Sequence, residues 1–167
     1  MSAAYGDELG EVVLTHGQRR GIRLIGLAGV VGGILLILVA ILAWIGVSNQ
    51  LRAENITIPD DSPYFAGKAV DGPIDAFIQA GVINAHALEA SGGKTYAELD
   101  QDDPVRDTVM NASFLRASLF TSVVSFGVAL FAAGVGVVFV LFGWALRMLA
   151  SSPARAPGRA SVPPATA

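Results

Sequence analysis

Residues 24–47 (LIGLAGVVGGILLILVAILAWIGV) form an unbroken run of 24 residues with no charged side chain and no proline. A second run, residues 117–146, continues for 30 residues without Lys, Arg, Asp, Glu or His. A helix rises about 1.5 Å per residue, so roughly 20 apolar residues cross a hydrocarbon core of about 30 Å. Both runs pass the ~18-residue threshold that separates membrane spans from buried core helices. Nothing else in the chain restricts its fold as much. The expected class is an all-α membrane protein: a two-helix transmembrane hairpin with a small helical extracytoplasmic subdomain.

Charge placement gives the hairpin a direction. Arg19, Arg20 and Arg23 directly precede the first run, and Arg147, Arg155 and Arg159 follow the second. Lys and Arg beside a span stay on the cytoplasmic side. Both termini are therefore expected in the cytoplasm, in a multi-pass protein of the plasma membrane. The stretch between the runs, residues 48–116, carries 11 acidic and 5 basic residues and is expected outside. A basic segment followed by an apolar one also opens a secretory signal. Signal h-regions run only about 7–15 residues and end at a small-x-small site. Here the run is longer, and Ala40-Ile41-Leu42-Ala43 has the wrong spacing.

The chain divides accordingly. Residues 1–17 read as a flexible cytoplasmic tail, in which Glu11 to Leu14 could begin a short helix. Transmembrane helix 1 is expected over 18–50, an extracytoplasmic loop subdomain over 51–103, and a second long helix over 104–148. That last helix combines an outer stalk with transmembrane helix 2. Residues 149–167 (ASSPARAPGRASVPPATA from Ala150 onward, after Leu149) hold four prolines and read as a disordered cytoplasmic tail.

Within the loop, Ile56-Thr57-Ile58-Pro59 reads as extended, because proline pushes its predecessor away from helix. Asp71-Gly72-Pro73 opens a helix over about 73–90, stopped by Ser91-Gly92-Gly93. Its apolar face is read from Ile74, Phe77, Ile78, Gly81 and Val82, and that face is expected to pack on the stalk. Thr95-Tyr96-Ala97-Glu98 is a capping box. Asp102-Asp103-Pro104 caps the stalk, along which Val105, Val109, Ala112 and Leu119 keep helical spacing.

Small residues mark the expected helix-packing interface. Gly29 and Gly33 form a GxxxG pair, with Ala28 and Gly32 one residue earlier. Ala129/Ala133 and Ala132/Gly136 are the matching pairs in the second run. Small residues allow two backbones to approach and gain dispersion contact. Gly32 and Gly136 fall at similar depth, so they are expected to meet. The same faces could serve self-association or a membrane-protein partner.

Candidate chemistry is sparse. There is no cysteine, hence no disulfide, thiolate metal site or Cys nucleophile. The formal charge of −3 argues against nucleic acid as a partner. The two histidines, His16 and His86, fall on opposite sides of the membrane in the expected topology, and no HExxH motif occurs. Glu98, Asp100, Asp102 and Asp103 could hold a hard cation, but they lack the EF-hand pattern and read better as caps and solvated charge. Asn55-Ile56-Thr57 and Asn111-Ala112-Ser113 match a short glycosylation pattern that chance supplies often. Spans without ionisable groups argue against an ion or proton path through this chain alone. No catalytic, cofactor-binding or metal-binding residue is assigned.

Gly67-Lys68, Asp71-Gly72-Pro73, GGKTYAELD (residues 92–100) and MNASFLRASLF (residues 110–120) resemble a family of small two-span membrane proteins from actinobacteria. The resemblance covers about residues 24–148. Members of that family often carry an aromatic-ring-opening dioxygenase label. Such enzymes hold iron with two His and a carboxylate, a set this sequence does not offer. The resemblance implies an actinobacterial plasma membrane protein and transfers no catalytic residue. The expected role is non-enzymatic, an accessory or scaffolding subunit. An extracytoplasmic ligand-binding or sensory module is the alternative, and an enzyme the third.

Overall fold

The computed structural model describes residues 15–151, so most of both tail assignments lies outside the described residues. The described chain is helical: α1 (His16–Ala53), α2 (Pro73–Ala90), a single 3₁₀ turn (Tyr96–Glu98) and α3 (Arg106–Ser151). α1 has 38 residues and α3 has 46, and both are long and apolar enough to cross a bilayer.

The helix ends follow local chemistry. α1 starts two residues before the expected position because Thr15 and Gln18 form an overlooked box. Gln18 Oε1 accepts from Thr15 N at 2.8 Å, while Gln18 N donates to Thr15 Oγ1 at 3.4 Å. α2 begins after Gly72 with Pro73 in its first turn, where the missing N–H is no loss. It ends where Ser91 N reaches Ala87 O and Gly93 N reaches Leu88 O at 2.7 Å. Gly92 and Gly93 have φ of +67° and +88°, the left-handed conformations that close such an end. α3 begins at Arg106 rather than at residue 104. Asp103 Oδ1 accepts from Val105 N at 2.9 Å and sets the first turn just beyond Pro104.

The described residues form two compact units. The larger, Gly33–Val138, contains α2, the loops and the adjoining parts of α1 and α3. Its core joins Leu51 of α1, Ile58 and Val70 of the loop, Ala76 and Ala80 of α2, and Leu119 and Phe126 of α3. The loop reaches this core through one antiparallel bridge between Thr57 and Ala69. Ile58 N donates to Lys68 O, and Val70 N to Ile56 O, both at 2.9 Å. Alternation along this extended pair turns Ile58 and Val70 inward. The extended reading of residues 56–59 matches this backbone; the pairing with residues 67–70 was not anticipated.

α2 packs by a different face from the one expected. Asp75, Ala76, Gln79, Ala80 and Ala87 are buried, whereas Ile74 and Phe77 are 64% and 58% exposed. Three alanines at 76, 80 and 87 let the helix lie close to its neighbours, with Ile78 and Ile83 filling the edges. The largest apolar side chains near its start are left outside, Phe77 standing edge-on to Phe120 with ring centroids 5.9 Å apart.

The smaller unit comprises the described residues up to Gly32 and those from Phe139 onward. There the start of α1 and the end of α3 lie in backbone contact, because Gly26 and Gly143 face one another.

Candidate functional site

The assigned packing residues separate into those on a helix seam and those beside it. In the larger unit, a Cβ placed on Gly136 meets Gly33 O at 2.7 Å and Ile37 Cγ1 at 2.8 Å. Gly136 therefore faces Gly33, not Gly32, and a Cβ on Gly32 meets nothing within 4 Å. Ala129 is buried, while Ala132 and Ala133 are half-buried. Trp44 packs edge-on against the buried Phe126, centroids 4.6 Å apart. In the smaller unit, a Cβ on Gly29 lies 3.4 Å from Gly143 Cα, and one on Gly143 lies 2.8 Å from Val30 N.

Burial recurs every seven residues on both helices, at Gly26, Gly33 and Ala40 on α1 and at Ala129, Gly136, Gly143 and Ala150 on α3. Seven residues are close to two helical turns, so these positions share one face of each helix. Of the residues with four-residue spacing, Gly29, Gly33 and Gly136 lie at close backbone contacts and Ala129 is buried, Gly32 has no neighbour within 4 Å of an added Cβ, and Ala132 and Ala133 are half-buried; Gly26, Ala40 and Gly143 fall outside that spacing. The signal for those was present as a heptad of small residues.

The layer built from α2 and its flanking loops carries most of the charge, and its polar groups staple the loops to the helices. Arg52 donates to Asp71 through Nε at 3.2 Å and Nη2 at 3.0 Å. That hydrogen bond is the chief reason the Asp71 carboxyl sits below its ordinary value of 3.8. Lys68 Nζ lies 2.7 Å from Asp75 Oδ1, and Asp75 is buried at the first turn of α2. His86 Nε2 lies 2.7 Å from Asp61 Oδ2. Arg106 reaches the carbonyls of Tyr96, Leu99 and Asp100, with its guanidinium 4.2 Å from the Tyr96 ring centroid.

The acidic run is also engaged by backbone. Glu98 Oε2 accepts from Thr95 N at 2.8 Å, one half of the capping box, and also from the Thr95 hydroxyl at 2.8 Å. Thr95 N–H, and then its hydroxyl, hold the Glu98 carboxyl below its ordinary 4.5. Asp103 caps Val105. Among the described residues no group of three or more His, Asp or Glu is placed to hold a metal ion. His16 is the first residue of α1, and His86 is committed to Asp61.

Two buried polar atoms have no hydrogen-bond partner among the described residues, Gln79 Oε1 and Arg116 Nε. Arg116, with its guanidinium 5.9 Å from the Phe120 ring centroid, borders a cavity of about 40 Å³ with Asn84, Thr95, Tyr96 and Ser113. That space suits a few ordered waters. It is far below the ~300 Å³ at which small-molecule sites begin. No family model, curated protein or solved structure matches the chain.

Proposed function

We propose that this chain is a two-pass membrane protein with both ends in the cytoplasm. In this reading it acts as a non-enzymatic accessory or scaffolding subunit whose layer of α2 and loops is offered to a partner outside. The observation that carries it is the distribution of side-chain size around α1 and α3. Glycine and alanine lie on the buried seven-residue positions, whereas Leu38, Val39, Leu42, Leu130, Phe131 and Phe142 point away from the protein. Only 17% of the most apolar window of either helix is buried. The core helix of a soluble protein buries its large apolar side chains. Over residues 26–40 of α1 and 129–150 of α3 small residues lie inside and large ones outside, which suits a lipid solvent, in which close backbone packing is the main attraction.

Ile74 and Phe77 support the same reading. Both are exposed, and Phe77 stands against Phe120, close to the start of the second apolar run, where an apolar helix end can enter the membrane interface. Partner contact is supported by the loop tip. Tyr64 and Phe65 are exposed, and Phe65 holds φ of 55°, a strained conformation for a bulky residue. The filled packing of α2 favours scaffolding over ligand capture, because its cavity takes only water-sized occupants.

Reporters that fold only in the cytoplasm test the topology. Fused at residue 85 the reporter is expected to be silent, and fused after residue 150 it is expected to be active. Outside placement of the second fusion sinks the two-pass reading. Isolation from gentle detergent as a solitary monomer, with no partner and no self-association, sinks the scaffolding role.

A further inference from the structure

The smaller unit contains a basic groove that the packing of α1 and α3 does not require. Arg20, Arg23, Leu24 and Leu27 of α1 line it together with Arg147 and Ser151 of α3, around a volume of about 330 Å³. On the other side of Arg147, Trp144, Met148 and Ser151 border a second hollow of about 480 Å³. Arg147 and Ser151 thus line both hollows, with Leu24 and Leu27 in one and Trp144 and Met148 in the other.

Among the described residues this concentration of positive charge has no carboxylate near it in sequence. No Asp or Glu occurs between Glu11 and Glu54, and none follows Asp107. The arginines are also held in place. Arg23 Nη2 donates to Ala150 O at 3.3 Å, fixing its guanidinium over the carbonyl end of α3. Gly26 makes room for the stem of Arg147, since a Cβ there meets Arg147 Cγ at 2.8 Å. Ser151 Oγ donates to Arg147 O at 2.6 Å, which ties the same turn together. Leu24, Leu27, Trp144 and Met148 remain exposed directly beside these guanidiniums.

We propose that this groove binds the phosphodiester headgroup of an anionic phospholipid, with Arg20, Arg23 and Arg147 on the phosphate and the acyl chains along the two flanking hollows. Guanidinium groups match the planar, bidentate demand of a phosphate oxygen pair. Phosphate alone explains the arginines but not the exposed apolar walls next to them. A headgroup attached to acyl chains explains both. Basic pockets between spans on the cytoplasmic side are the expected place for such contacts. The inference rests on the membrane reading above.

The test uses the full chain in neutral detergent, probed by native mass spectrometry with dioleoyl-phosphatidylglycerol, dioleoyl-phosphatidylcholine or glycerol 3-phosphate. Phosphatidylglycerol is expected to be retained at least tenfold more than phosphatidylcholine, and glycerol 3-phosphate not at all. Arg147→Gln is expected to lower retention about fivefold, a loss typical of one basic residue at an anionic surface. Arg147→Lys should keep part of it, and Arg116→Gln should change nothing. Circular dichroism of each variant separates loss of the site from loss of the fold; if Arg147→Gln unfolds, Arg20→Gln carries the comparison.

Equal retention of the two lipids overturns the proposal, as does unchanged retention in the folded glutamine variant. Equal binding of glycerol 3-phosphate makes this a site for free phosphate esters instead. If lipid binds only after Asp7, Glu8 and Glu11 are neutralised, the occupant is the chain's own N-terminal segment. A chain that stays dispersed and monomeric without detergent or lipid defeats the membrane reading. One that requires detergent yet ignores headgroup charge defeats the lipid site alone.

Discussion

Gly136→Ala offers a sharp test of the helix seam, with Gly32→Ala as its control. The added methyl lies 2.7 Å from Gly33 O and 3.2 Å from Ile37 N, both backbone atoms that cannot rotate aside. Ordinary contact begins at 3.4 Å, so α1 and α3 must separate locally by roughly 0.7 Å. A gap of about 0.5–1 Å forfeits a quarter to a half of each dispersion contact it opens. Overpacking of this kind costs about 1–3 kcal/mol. Alanine returns up to about 1 kcal/mol of helix propensity. The same return applies to Gly32→Ala, where nothing lies within 4 Å of the new methyl. The difference between the two variants therefore isolates the steric cost, expected at about 2 kcal/mol or roughly thirtyfold in the folding equilibrium. Reversible unfolding in mixed micelles, followed by tryptophan fluorescence, measures it. Equal midpoints for the two variants would refute the proposed register of the seam.

Two further outcomes concern the layer of α2 and the loops. Ile58→Ala removes a fully buried side chain from the bridge that seats the loop on the core, and should cost about 2–4 kcal/mol in the same unfolding assay. A cost below about 0.5 kcal/mol counts against a structural role for the bridge. Acid should weaken the Arg52–Asp71 staple. Asp71 has its carboxyl depressed below 3.8 in the folded chain, so its contribution is complete above that value and fades as pH falls through the folded pKa. Wild type should exceed Arg52→Met in stability at pH 7, with the gap closing below about pH 4. A gap constant from pH 7 to 2.5 contradicts the staple.

The long elements were legible because they depend on local chemistry and on composition over many residues. Pro73 with Gly72, and Gly92 with Gly93, marked α2 at both ends, and uninterrupted apolar runs marked the bodies of α1 and α3. What escaped were relations across distance. Hydrophobic spacing placed Ile74 and Phe77 inside, yet the structure buries the alanines of α2 and leaves those two residues out. The rule that large apolar residues seek the interior presumes water as the solvent. On α2 the buried face is built from three alanines with Asp75 and Gln79, and Asp75 is held there by Lys68.

The shift from Gly32 to Gly33 is also a relation across distance. A four-residue motif describes how two helices cross at one point, and it gives Gly29/Gly33 and Ala28/Gly32 equal standing. Positions on one helix face recur every seven residues, and Gly26, Gly33 and Ala40 are buried at that spacing while Gly32 is not. Gly26 and Gly143 belong to the repeat, and Gly26 also accommodates the stem of Arg147, which lines the arginine groove. Close packing and the placement of positive charge are thus coupled at one residue. A side chain at position 26 should disturb both, whereas one at Gly32 should disturb neither.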